Sequence, residues 1–254
     1  MKKLIKRFIL YSLATVLVSF SLLLVILLNP ALSYAHKASF HNHTVFYSSK
    51  SDPGFIERLA AAEYAVQRSE LYKPALSLDI CLNDGAWYPS LVKKIGGPAF
   101  ARGFYNKVVI LSSVNAAENT ALLNGRSWNL TELIAHEMVH CHQYNSLGLL
   151  KSKPFANIPD WKWEGYPEYI ARTRLSNKEL AEEIKNLQKH NMENPLAWIE
   201  LKDGTGTILS YYQAWLEVSY CISVRKISYA QLLKAGFTEP DIRKEMTAWA
   251  AAIF

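Results

Sequence analysis

Asn129-Leu130-Thr131-Glu132-Leu133-Ile134-Ala135-His136-Glu137-Met138-Val139-His140-Cys141-His142-Gln143-Tyr144 carries neither glycine nor proline. Apolar residues at 130, 133, 134, 138 and 141 recur at helical spacing, which predicts one amphipathic helix. Asn129 reads as its N-cap, with Glu132 three residues on in a capping-box-like arrangement. Asn145-Ser146-Leu147-Gly148 reads as the stop, since Gly148 can take a positive φ. On such a helix His136 and His140 are four residues apart, one above the other, so both imidazoles can reach a single ion. Glu137 is rotated about 100° from His136 and is free to face a water on that ion.

The pattern His136-Glu137-Met138-Val139-His140 is H-E-x-x-H, in which two imidazoles hold zinc and the carboxylate serves as general base. A catalytic zinc site needs a third protein ligand and one open position. A metzincin would place Gly and His where this chain has Gln143 and Ser146, and the inverted H-x-x-E-H is absent. Downstream lies Trp161-Lys162-Trp163-Glu164-Gly165-Tyr166-Pro167-Glu168-Tyr169-Ile170-Ala171. The order H-E-x-x-H, then E-G-x-x-E-Y-I-A, resembles the gluzincins, the thermolysin-like zinc peptidases. The resemblance implies that Glu164 is the third zinc ligand and that Glu168 orients an imidazole, that of His136. Glu164 and Glu168 are four residues apart and share a helix face. Pro167 departs from the small residues usual there, and a helix with Glu164 near its N-cap would hold it in the first turn. His142, about 200° from His140, is expected off the metal face as a surface or supporting histidine, and Cys141 as a buried small hydrophobe.

The first thirty residues have a different composition. Phe8 to Leu28 is an uncharged apolar run, long enough to cross a bilayer, which takes about 20 residues. Lys2, Lys3, Lys6 and Arg7 precede it and place that end in the cytoplasm. Ser33-Tyr34-Ala35 offers small residues for cleavage before His36, so a signal peptide is the competing reading of residues 1–35. The run exceeds the usual h-region and favours a retained anchor. Residues 36–254 then form one exported domain, secreted if cleavage occurs. Those four basic residues supply most of the net charge of +6, and the remainder is nearly neutral, which argues against nucleic-acid binding. Cys81, Cys141 and Cys221 sit among apolar neighbours and read as core thiols rather than a bridge.

Residues 36–51 read as a polar linker with a strand at 44–48, its His41 and His43 exposed. A helix is expected over 55–71, capped by Ser51 or Asp52, and a strand over 76–82. A short helix is expected over 87–95, and a strand over 104–112. By the gluzincin resemblance, Gly103 to Leu111 would border the cleft and pair with an extended peptide; an ordinary core strand is the other reading of that stretch. Residues 177–191 read as a solvated charged helix, Gly204 and Gly206 as a loop, 208–224 as an aromatic helix, and Thr238 as the start of a last helix. The resemblance implies an oxyanion donor on the aromatic helix, Tyr211 or Tyr212; packing in the core is the alternative. Trp161 and Trp163 either border the cleft or pack between helices. The fold class is α+β: a small N-terminal mixed sheet with helices, then a mostly helical half. The expected activity is zinc-dependent peptide hydrolysis on a peptide or protein substrate. The alternative is an exported zinc-binding domain without peptidase activity.

Overall fold

The computed structural model describes residues 2–49, 53–190 and 193–254. Helix α1 (Lys2–Leu28) carries the apolar run, none of its apolar window being buried, and meets the domain only near its last turn. Strands β1 (His36–Phe40) and β2 (His43–Tyr47) follow, then α2 (Pro53–Val66), β3 (Asp79–Cys81), α3 (Trp87–Gly96), β4 (Ala101–Phe104) and β5 (Lys107–Ile110). A second small sheet comprises β6 (Ser113–Asn115), β7 (Thr120–Leu123) and β8 (Arg126–Asn129). The chain continues through α4 (Leu130–Leu147), α5 (Asp160–Ala171), α6 (Asn177–Leu187), the hairpin β9 (Trp198–Glu200) and β10 (Gly206–Ile208), α7 (Leu209–Ser219), α8 (Tyr229–Lys234) and α9 (Glu239–Ala252). The fold is α+β, with strands gathered ahead of α4 and helices dominating after it.

The main sheet runs β1-β2-β3-β5-β4. Its outer pairs β1–β2 and β4–β5 are antiparallel, and β3 pairs parallel with both β2 and β5. The strand expected over 104–112 is a hairpin instead, turning at Tyr105, which adopts φ 55° without being glycine. Of the two hairpin strands only β4 lies at a sheet edge; all four residues of β5 are buried. The cleft-bordering role expected of Gly103 to Leu111 therefore shrinks to β4. Residues 36–47 form a hairpin and not a linker. His43 is buried, and its Nδ1 accepts from the Leu78 N–H at 3.1 Å, while exposed His41 lies 2.6 Å from the Glu63 carboxylate on α2. The expected cap of α2 at residues 51–52 lies outside the described residues.

α4 starts and stops where the sequence indicates. Asn129 accepts from the Glu132 N–H at 3.1 Å, and Gly148 closes the helix at φ 81°. The reciprocal capping-box bond gives way to a contact between the Glu132 carboxylate and Arg172, 3.0 Å away. α4 is not amphipathic: every residue from 133 to 143 is buried, because α2, β4 and α5 pack around it. Leu130, Ile134 and Met138 are fully enclosed, each contributing roughly 1.5–3 kcal/mol of apolar burial. A helix so enclosed must satisfy its polar side chains internally. The charged stretch expected as a solvated helix is α6, and its Leu180, Ala181, Ile184 and Leu187 are in fact buried. Gly204 tips the β9–β10 hairpin at φ 79°.

Candidate metal centre

α4 and α5 bring three side chains to one point. His136 Nε2 and His140 Nε2 are 3.1 Å apart; the Glu164 carboxylate lies 3.1 Å from His140 Nε2 and 3.3 Å from His136 Nε2. Tetrahedral coordination with bonds of about 2.0–2.2 Å separates ligand atoms by about 3.3–3.6 Å, so the triangle needs to open by only a few tenths of an ångström to hold one ion on three corners. Two imidazoles and a carboxylate form a donor set suited to a transition metal rather than to calcium or magnesium. Among the described residues this is the one His/Cys/Asp/Glu group that could hold a metal ion.

Each imidazole has its other nitrogen fixed, by different chemistry. His136 Nδ1 faces Glu168 at 2.9 Å, and Glu168 is held in turn by Arg172 Nε at 2.7 Å. His140 Nδ1 faces Gln143 Oε1 at 2.7 Å; the Gln143 amide donates to the Trp163 carbonyl at 3.0 Å and to Tyr229 Oη at 2.7 Å. Both partners place the proton on Nδ1 and leave Nε2 as the ligand atom. Pro167 lies inside α5, whose N-cap is Pro159, and not in the first turn. A residue with an N–H at 167 would bond the Trp163 carbonyl four residues back. Proline leaves that acceptor to Gln143. The proline thus supports His140 through Gln143.

Rings complete the frame. Tyr211 stacks on His136 with centroids 5.7 Å apart, and Trp163 on His140 at 5.4 Å. Both tryptophans are buried: Trp163 lines the cavity with His136, Glu137 and Glu164, while Trp161 packs in the main apolar core and lines a neighbouring cavity with Glu164 and Tyr211. The two candidate tyrosines part company. Tyr211 lines the cavity with His136, Glu137 and Glu164, while Tyr212 turns away and donates to Glu183 on α6 at 2.5 Å. His142 is buried, not on the surface, on the side of α4 away from the cluster; it rests near Tyr72 at 5.4 Å, and burial lowers its pKa to about 4. Cys81, Cys141 and Cys221 are buried free thiols. Arg172, Gln143 and Gly103 are the supporting residues that the sequence pattern did not single out.

Electrostatically the cluster calls for a cation. Burial opposes charge on His136, but hydrogen bonds to Glu164 and Glu168 outweigh it and raise the imidazole to about 10. Glu164 is held well below the usual carboxylate range: burial works against this, and the His140 and His136 imidazoles overcome it. The Tyr211 hydroxyl is pushed well above its ordinary value by the Glu164 carboxylate and by burial, so it remains a proton donor.

Glu137 lines the same cavity, of about 320 Å³, and accepts a hydrogen bond from the Gly103 N–H on β4. A Cβ at Gly103 would stand 2.3 Å from the Glu137 carbonyl, so only glycine allows β4 this close to α4. An adjoining cavity of about 400 Å³ is walled by Phe100, Trp128, Trp198 and Tyr211. Comparison with protein families finds no matching family model, and comparison with curated proteins finds no significant match, so the site rests on its geometry.

Proposed function

We propose that this chain is a membrane-anchored zinc peptidase of gluzincin type, with His136, His140 and Glu164 as ligands and Glu137 as general base. The observation that carries the reading is the meeting of Glu164 with both imidazoles while Glu137 and Tyr211 line the same cavity. The bound ion would lower the pKa of its water toward about 7 and polarise the scissile carbonyl. Glu137 takes the proton from the attacking water and passes it to the leaving amine. Tyr211, whose hydroxyl carries its proton, donates to the oxyanion, and stacking on His136 fixes its ring. Glu168 and Gln143 hold the two imidazoles in register.

The edge of β4 supports a peptide as the substrate. In an antiparallel pair alternate residues turn their main-chain groups outward. The Gly103 N–H points at Glu137, so Gly103 and Ala101 are the outward pair, and an extended backbone laid along them passes beside the metal ligands. The aromatic cavity next to Glu137 offers room for a large apolar side chain near the scissile bond. Anchoring by α1, with residues 36–254 outside the cytoplasm, draws support from the apolar span Ile5–Leu28 and its basic N-terminal flank.

The test is metal content together with peptide-library cleavage for the wild type and Glu137→Gln. The expected result is about one zinc per chain in both proteins and chelator-sensitive cleavage in the wild type alone. Equal cleavage by Glu137→Gln, or a purified chain without stoichiometric zinc, would overturn the assignment.

A further inference from the structure

The end of α1 is fastened to the domain by contacts that the metal centre does not use. The Tyr88 hydroxyl on α3 donates to the Leu27 carbonyl in the last turn of α1 at 2.6 Å, and the Tyr88 N–H donates to Ser33 Oγ at 3.1 Å. The Tyr34 hydroxyl donates to the Leu82 carbonyl at 2.8 Å, and its ring lies 5.8 Å from Phe46 and 6.2 Å from Tyr88. Leu27 and Tyr34 pack on a satellite core of Phe46, Cys81, Tyr88, Val92, Val109 and Leu111. α3 is therefore pinned at the level where α1 ends.

Among the described residues, the outer face of α3 has no partner that explains its composition. Trp87 and Ile95 are 47% and 55% exposed, and half-buried Leu91 lies between them. Steps of four residues line the three up as one apolar stripe, adjoining the face that carries the buried Tyr88 and Val92. Lys94 is exposed beside the stripe, and Lys93 is exposed on the far side of the helix. A helix with tryptophan and aliphatic residues on one face and a lysine at its flank fits the boundary between headgroups and acyl chains.

We propose that α3 lies on the outer surface of the membrane that α1 crosses, with Trp87, Leu91 and Ile95 entering the headgroup–acyl boundary and Lys94 reaching the phosphates. This rests on the anchor reading above, and the hydrogen bond from Tyr88 to the last turn of α1 ties the two together. Bilayer lipid is the occupant because α3 is hydrogen-bonded to the last turn of the apolar span and so sits where that span ends. One consequence concerns the cleft. Gly96 and Gly97 lead from α3 straight to Pro98 and Ala99, which line both cavities at the metal centre. The membrane-bound helix thereby holds the rim of the cleft close to the bilayer.

The experiment reconstitutes the full chain in vesicles of phosphatidylethanolamine and phosphatidylglycerol carrying acyl-brominated lipid. Tryptophan emission is then compared for wild type and Trp87→Phe. Brominated lipid is expected to quench a component of the wild-type emission that Trp87→Phe loses. A second reporter, an environment-sensitive dye on Ile95→Cys, is expected to shift blue in the same vesicles. Equal quenching of wild type and Trp87→Phe, together with an unshifted dye, would overturn the inference while leaving the anchor and the peptidase reading in place. Purified protein whose mass shows cleavage after Ala35 would overturn the anchor and the inference together, and zinc binding by that shortened chain would still report on the metal centre.

Discussion

Gly165→Ala sets helix propensity against packing, and the two demand opposite outcomes. In an exposed helix interior, alanine is favoured over glycine by about 1 kcal/mol. Here α5 is pressed against α7. A Cβ at 165 would meet the Ala214 carbonyl oxygen at 2.4 Å, its carbon at 2.8 Å and Val218 Cγ2 at 2.7 Å. Restoring ordinary contact requires the two helices to part by about 0.6–1.0 Å, and a close-packed interior resists such a shift. Overpacking of this kind costs about 1–3 kcal/mol, which offsets the gain in propensity, and the variant should be less stable than wild type by up to about 2 kcal/mol. The larger effect falls on Glu164, the preceding residue. Ligand distances in metal sites hold to about 0.2 Å, several times less than the displacement forced here. Zinc affinity is expected to fall about 10–100-fold, the range seen when supporting groups around a metal are lost. Competition against a chelating dye measures the affinity, and thermal melting of the metal-free chain measures the stability. A variant that melts higher than wild type and binds zinc equally well would refute the packing argument.

Glu168→Gln should weaken zinc about 10–100-fold, because His136 Nδ1 loses a charged partner at 2.9 Å; chelator competition again reads it. Tyr211→Phe should lower kcat about 100-fold or more with zinc affinity unchanged. Tyr212→Phe should leave kcat alone and cost about 1 kcal/mol of stability through its bond to Glu183, measured by denaturant unfolding. Glu217 is fully buried on α7, and burial together with the nearby Glu239 pushes its pKa up to about 8. A raised carboxyl contributes fully below its unfolded pKa and loses that contribution as pH climbs toward 8, at roughly 1.4 kcal/mol per unit. Glu217→Gln should therefore remove part of the fall in melting temperature between pH 5 and pH 9, and identical curves would contradict the assignment.

The elements legible in the sequence are those whose signal is local. α4 was readable because Asn129 and Gly148 mark its ends and no breaker intervenes. The spacing of His136 and His140, and that of Glu164 and Glu168, fixes which side chains share a face whatever the tertiary fold. The strands were less legible. β3 keeps only three residues of the alternation running from Leu76 to Leu82, because pairing with β2 and β5 sets its limits. The β4–β5 turn went unread because Tyr105, not glycine, adopts the left-handed conformation. The amphipathic reading of α4 failed for a related reason. Polar residues such as Gln143 and His142 look solvent-facing in a periodic pattern, and only packing by α2 and α5 reveals that they are enclosed.

What turns two local spacings into one centre is non-local, and it concentrates at residues without catalytic chemistry. Gly103 admits β4 against α4 and gives Glu137 a main-chain donor; Gly165 admits α7 against α5 and brings Tyr211 over His136. Pro167 leaves the Trp163 carbonyl free for Gln143, which holds His140, while Arg172 bridges Glu168 and Glu132 and so ties His136 back to the first turn of α4. The two imidazoles are thus supported unequally: one by an ionised carboxylate backed by a buried arginine, the other by a neutral amide. A charged partner raises the basicity of its imidazole more than an amide does. Loss of Glu168 should accordingly cost more zinc affinity than loss of the Gln143 amide. That ordering follows from the wiring of the site, since His136 and His140 are equivalent in the motif itself.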